Sequence, residues 1–137
     1  MWQYQRDKEL TELPRESEVE ERVRKHLKEE GFTVLERTKK QGVDIQAIKD
    51  GRNYYVEVEG NTKPDGKPLT TSQKHTHLLR AIGQIGLRMN DDLKGLFYLA
   101  LPDDRYYREK IDKLQIALKK LCVTTYFVDS KGRVTEK

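Results

Sequence analysis

Asp50-Gly51, set between "GVDIQAIK" and "RNYYVEVEG", is the feature that most narrows what this 137-residue chain can fold into. A two-residue type I′ turn needs positive φ at both central positions, which Asp-Gly supplies, and the flanking runs alternate as strands do. The stretch therefore reads as a hairpin whose register follows by arithmetic. Facing residues have numbers that add to 101, the sum for Lys49 and Arg52, so Ile48 faces Asn53, Ile45 faces Val56, and Asp44 faces Glu57. Facing Cβ atoms lie about 4.5–5.5 Å apart, and like charges there are destabilising. Strand alternation adds Glu59 to the face of Glu57 and sends Val56 and Val58 to the other face. Three carboxylates converge at one end of the hairpin. They suit a hard divalent cation, since Mg²⁺ is often held by one or two carboxylates plus water and phosphate; they also suit a solvated acidic face.

The rest of the chain bears on that choice. At 137 residues it is one domain's worth, and with 35% hydrophobic against 36% charged residues its core is modest under a heavily charged surface. Lys and Arg number 27 against 23 Asp and Glu, for a net charge of +4, which is compatible with a nucleic-acid partner. A single cysteine, Cys122, excludes an internal disulfide; between Leu121 and Val123 it is expected to be a small buried hydrophobe. No apolar run approaches the 18 residues of a membrane span and no leader peptide is visible, so a cytoplasmic protein is expected.

Residues 1–15 read as a polar N-terminal arm, with Trp2 and Tyr4 able to dock on the body, and 16–137 as a single domain. "ESEVEERVRKHLKEE" places Val19, Val23 and Leu27 in an i, i+4 stripe, with Ser17 as the expected cap and Gly31 as the stop. "FTVLE" is a short strand, and the hairpin supplies two more. The polar stretch from Gly60 to Gln73 is too long for a simple connector and is a candidate substrate loop. A helix follows with Leu78, Ile82, Ile85 and Met89 on one face, then a buried strand in "KGLFYLALP". A helix built on Ile111, Leu114, Leu118 and Leu121 precedes the strand "VTTYFVD".

This order, with an Asp at the start of the second strand and an acid-X-acid tripeptide in the third, resembles the PD-(D/E)XK, or restriction-endonuclease-like, nuclease superfamily over roughly Glu16 to Asp129. The resemblance implies an α/β fold with an αβββαβ core, its mixed central sheet flanked by helices. It also implies that Asp44, Glu57 and the Val58 carbonyl bind Mg²⁺ or Mn²⁺. "GVD" stands where the family often writes Pro-Asp. "EVE" stands where it writes Glu-X-Lys, so Glu59 occupies the place of a lysine that activates water or stabilises charge. Glu59 then either orients water or ligates a second ion, and Lys63 or Lys74 could supply the displaced positive charge.

Many members also carry a Glu on the first helix. Taking Val19 as zero at about 100° per residue, Glu20 falls near 100°, at the edge of the buried stripe, and Glu21 near 200°. Glu16, near 60°, competes on angle but sits at or before the helix start, so Glu20 is the choice. By the same resemblance Gln84 is the candidate from the helix after the third strand. There Gln73, His77, Arg80, Gln84 and Arg88 form a polar and basic stripe. His77, Arg80, Arg88, Lys63, Lys67 and Lys74 are the expected nucleic-acid contacts, with phosphates held without base readout. His75 is expected to pack. The helical Gly83 and Gly86 cost propensity and point to a close neighbour, a strand or a second subunit. The function implied is metal-dependent endonucleolytic hydrolysis of DNA by a protein that could be a homodimer. The alternatives are a nuclease-fold domain that binds nucleic acid or protein without cutting, and an unrelated α/β domain.

Overall fold

The structure is a computed structural model describing residues 14–37 and 43–137; residues 1–13 of the N-terminal arm, with Trp2 and Tyr4, and residues 38–42 lie outside the described residues. Its elements run α1 (Glu16–Glu29), β1 (Thr33–Val34), β2 (Ile45–Lys49), β3 (Arg52–Val58), α2 (Thr71–Asp91), β4 (Leu96–Pro102), α3 (Arg105–Lys120), β5 (Val123–Val128) and β6 (Val134–Glu136). The αβββαβ core is present, and the sheet is six-stranded in the order β1-β2-β3-β4-β5-β6. β3, β4 and β5 are parallel, joined by α2 and α3, while β1, β2 and β6 pair antiparallel at the edges.

The hairpin has the register its turn dictates: Lys49 faces Arg52, and Ile45 faces Val56. Asp50 and Gly51 take φ values of 52° and 75°, both positive as a type I′ turn demands. Alternation along β3 divides the core in two. Val56 and Val58 face α1, joining Val19, Val23, Leu27, Ile45 and Ala100. Tyr55 faces α2 and α3, with Leu78, Ile85, Phe97, Leu99 and Ile111. The sheet is thus sandwiched, α1 on one face and α2 with α3 on the other.

Helix ends differ in detail from expectation. Arg15, not Ser17, is the N-cap of α1, and Glu18 Oε1 reaches back to accept from the Arg15 amide over 3.1 Å. Glu16 therefore stands in the first turn, where acids complement the helix dipole. At the other end Gly31, φ 90°, allows a Schellman closure, with Phe32 N donating to Leu27 O and Gly31 N to Lys28 O. α2 begins earlier than expected because Thr70 and Gln73 form a capping box.

Four sequence expectations need correction. Cys122 is exposed, not buried: it takes φ 58° at the junction of α3 and β5, where the apolar context of its neighbours has no hold on it. Leu121, expected on the buried face of α3, is the C-cap and 43% exposed. His75 is exposed on α2 rather than packed. A Cβ on Gly83 or Gly86 would meet nothing within 4 Å, so among the described residues no strand is the close neighbour that their small size pointed to. β6 is also an addition: "RVTEK" offers one apolar residue, and its pairing with β5 comes from the turn at Asp129, whose carboxylate accepts from the amides of Lys131 and Arg133.

Candidate active site

The parallel strands β3 and β4 end side by side, Glu57 opposite Leu99 and Val58 opposite Ala100. At this end three elements deliver carboxylates. Asp44, just before β2, has Oδ2 fixed by a hydrogen bond from the Val58 amide over 2.7 Å. Glu57 comes from the ladder itself and is only 6% exposed. Glu59, past the end of β3, donates its backbone N–H to Ala100 O (3.0 Å), and its Oε1 lies 3.6 Å from His77 Nδ1 on α2. The fourth comes from α1. The pivot is Gly60: a Cβ there would collide with the Glu16 nitrogen and lie 2.8 Å from the Arg15 carbonyl carbon. Only glycine lets the first turn of α1 abut the end of β3, and that contact carries Glu16 to the acids.

Their electrostatics record the crowding. Burial, reinforced by Asp44, a side-chain hydrogen bond with Asp44, Glu59 and Glu16, pushes Glu57 far above the ordinary carboxylate range. Glu59 is pushed up to about 8 by burial and then by Glu16 and Asp44, with Arg80 opposing. Glu16 is pushed up to about 7 by loss of hydration at its carboxyl, then by Asp44, with Arg37 opposing and Glu20 adding. Glu57 Oε1 is buried without a hydrogen-bond partner. A buried carboxylate oxygen left so is costly unless a proton or a cation meets it.

An all-oxygen, over-acidic set of this kind fits a hard divalent cation. Among the described residues no three His, Cys, Asp or Glu form a ready-made cage for an ion, so water and substrate oxygens would complete its shell, the ordinary condition of Mg²⁺. Asp44 and Glu57, joined by a side-chain hydrogen bond, are the pair whose oxygens such an ion could share. Val58 enters the site through its amide, which is spent on Asp44.

The α1 glutamate chosen from the sequence, Glu20, has other partners. Its carboxylate pairs with Arg24 Nε at 2.9 Å and Arg37 Nη1 at 3.0 Å. Glu16 is the α1 acid coupled to Asp44, Glu57 and Glu59; its angle was within the buried stripe, and what hid it was the helix start, two residues earlier than the Ser17 cap implied. Arg24, inside α1, and Arg37, after a two-residue edge strand, carry no local signal of a role here.

The basic candidates separate by position. His77 and Arg80 both act on Glu59. Gln84 is exposed, seven residues beyond His77 or about 10 Å of helix rise, on the part of α2 that leads away from the acids. Arg88 is farther still, over the Tyr55 ring and 4.0 Å from Asp91. Lys74 Nζ is committed to Asp104 Oδ2 at 3.1 Å, its side chain 14% exposed. Asp104 also caps α3 and accepts from Asn61, while Tyr107 OH donates to Gly60 O. That network pins the loop before α2, whose tip turns at Gly66 and leaves Lys67 exposed and Lys63 half-buried.

No known family profile matches the chain, and no curated protein matches it in sequence. Two solved structures share its fold. An XisH family protein from Nostoc punctiforme superposes with a TM-score of 0.58 at 18% identity, over 86% of this chain and 96% of that one. An fdxN element excision controlling factor from Anabaena variabilis gives 0.56 at 18%, over 87% and 96%.

Proposed function

We propose that this chain is a metal-dependent DNA endonuclease of the restriction-endonuclease-like fold, hydrolysing phosphodiester bonds at the end of β3 and β4. The observation that carries the reading is the crowding of Glu16, Asp44, Glu57 and Glu59, from α1, the approach to β2, and the end of β3, around a buried carboxylate oxygen with no partner. Acids crowded and buried in this way, with pKa values pushed up, mark candidate functional sites. The fold neighbour named as an excision controlling factor supports DNA as the polymer.

When bound by Asp44 and Glu57, Mg²⁺ or Mn²⁺ supplies Lewis acidity, drawing charge from the phosphoryl oxygen and lowering the pKa of water. The chain's own residues do the rest. The Val58 amide keeps Asp44 turned toward Glu57. Glu59, once deprotonated, can take a proton from the attacking water as that water's oxygen bonds phosphorus and the bond to the leaving ester oxygen breaks, the leaving oxygen taking its proton from solvent. His77 beside it orients that carboxyl. Burial of Glu57 excludes bulk water from the inner side of the site. Lys63 and Lys67 on the loop, and His77 and Arg80 on α2, are the candidate phosphate contacts.

Incubation of the full chain with duplex, single-stranded and branched DNA, in Mg²⁺ or Mn²⁺ and in EDTA, tests the reading. Cleavage in metal that vanishes in EDTA supports it. No cleavage of any substrate in either metal, with binding intact, would make this a nuclease-fold domain that binds without cutting.

A further inference from the structure

Four carboxylates and one phosphodiester repel one another, and the tripeptide Glu57-Val58-Glu59 has no lysine to offset them. We propose that Arg37 is the phosphate-binding cation of this site, an inference that rests on the phosphodiesterase reading above. Arg37 follows β1 by three residues and returns to the acids: Nη2 lies 3.3 Å from Asp44 Oδ1, and Nη1 lies 3.0 Å from Glu20 Oε1. Among the described residues these are its hydrogen bonds, and a guanidinium carries five N–H donors in a planar fork. Three donors remain for an oxyanion. The side chain is 54% exposed, so that outer edge faces solvent. It also lines an open cleft of about 780 Å³ beside Glu16, with Arg15, Lys25 and Lys28.

The placement is built rather than incidental. Arg24, 18% exposed, donates Nε to Glu20 (2.9 Å), Nη1 to Leu35 O (2.9 Å) and Nη2 to Asp44 O (2.9 Å). One half-buried guanidinium thus ties the backbone that carries Arg37 to the backbone that carries Asp44, and holds the glutamate on which Arg37 leans. Glu20 and Arg24 are positioning residues, and Arg37 is the group they position. The fork matches two phosphate oxygens at once, as a lysine cannot. Of the two lysines the sequence offers for this charge, Lys74 is closed onto Asp104 and Lys63 lies half-buried in the loop before α2. Arg80 and His77 approach from the Glu59 side; among the described residues Arg37 is the cation paired with the Asp44 carboxylate, Arg24 meeting only its carbonyl.

The test uses the full chain and a fluorescein-labelled duplex oligonucleotide. Binding is read by anisotropy over a range of salt in EDTA, and cleavage by single-turnover kinetics in Mn²⁺. Arg37→Met should weaken metal-free binding, reduce the salt slope by about 1, and slow cleavage by about 100-fold. Its melting temperature should stay close to wild type, because an ion pair this exposed contributes little stability. Added guanidinium ion, against matched sodium chloride, should restore part of the lost rate, which a purely structural role would not allow. Arg37→Lys keeps the charge, serves if the methionine variant unfolds, and should fall between the two. If wild type cuts and Arg37→Met binds and cuts as it does, or if the loss follows Arg80→Met instead, Arg37 is only the counter-charge of Asp44 and the proposal is overturned. If wild type cuts nothing, the phosphodiesterase reading fails, while the salt slope in EDTA still decides whether Arg37 holds a phosphate.

Discussion

Asp44 Oδ2 accepts a hydrogen bond from the Val58 amide over 2.7 Å, one rung beyond the last ladder pair, Ile45 with Val56. That bond holds a carboxylate against Glu57. Asp44→Asn keeps an oxygen for Val58 and removes the charge. Without metal the melting temperature should move little, since relief from Glu57 and loss of the Arg37 pair are each worth less than about 1 kcal/mol and oppose. With Mg²⁺ or Mn²⁺ the wild type should gain RT ln(1 + [L]/Kd), about 2.7 kcal/mol at a hundredfold excess over Kd, and the mutant almost nothing. Thermal melts of both proteins in EDTA and in metal decide this; equal metal responses would remove Asp44 from the ligand set.

The raised carboxyls set a pH dependence with a definite sign. Glu16 and Glu59 have pKa values near 7 and 8 in the fold against an ordinary 4.5, and Glu57 shifts the same way. The folded state therefore keeps protons that the unfolded chain has released. Their contribution to stability is complete below about pH 4.5 and is lost as pH rises through 7 and 8. Melting temperature in EDTA should fall over that window, and Glu57→Gln should flatten the fall. Metal binding must expel the same protons, so metal affinity should rise over the same range. A wild-type melting curve flat from pH 5 to 9 in EDTA would contradict the crowding.

Gly60→Ala tests how Glu16 reaches the site. The added methyl meets the backbone of Arg15 and Glu16, which cannot rotate away as a side chain can. Overpacking of this kind costs about 1–3 kcal/mol, and the first turn of α1 should swing off the end of β3. Urea unfolding should show the loss of stability, together with a fall in metal affinity greater than Glu20→Gln produces.

Lys74 and the loop lysines should part company. Lys74→Met leaves Asp104 without its ion pair in a half-buried network and should cost stability, on the order of 1–3 kcal/mol, with little effect on DNA binding. Lys63→Ala and Lys67→Ala should leave stability nearly unchanged and each reduce the salt slope of DNA binding by about 1. Denaturation and salt-dependent binding on the three variants distinguish the roles.

Glu59→Gln should lose most of its cleavage activity while retaining DNA binding in Ca²⁺, because the amide cannot take the proton that Glu59 Oε1 is placed to accept. Activity within a few-fold of wild type would assign Glu59 to the electrostatic background and leave the proton to Glu16.

What the sequence alone determined follows from short-range rules. Asp50-Gly51 set the hairpin, its register set Asp44 against Glu57, and alternation set Glu59 on the same side, because turn chemistry and a period of two act within a few residues. The apolar stripes at Val19, Val23 and Leu27, and at Leu78 and Ile85, likewise named the buried faces of α1 and α2. Tertiary structure decided which distant groups join that hairpin. Glu16 over Glu20 depended on where α1 starts and on Gly60 pressing against it, a contact across 44 residues of chain. Arg24 and Arg37 arrive because Leu35 and Asp44 are brought within reach of one guanidinium. Gln84 shares a helical face with His77, yet the direction of α2 carries it away from the acids. Periodicity assigns a residue to a face; which end of that face meets the site is fixed by packing against the sheet.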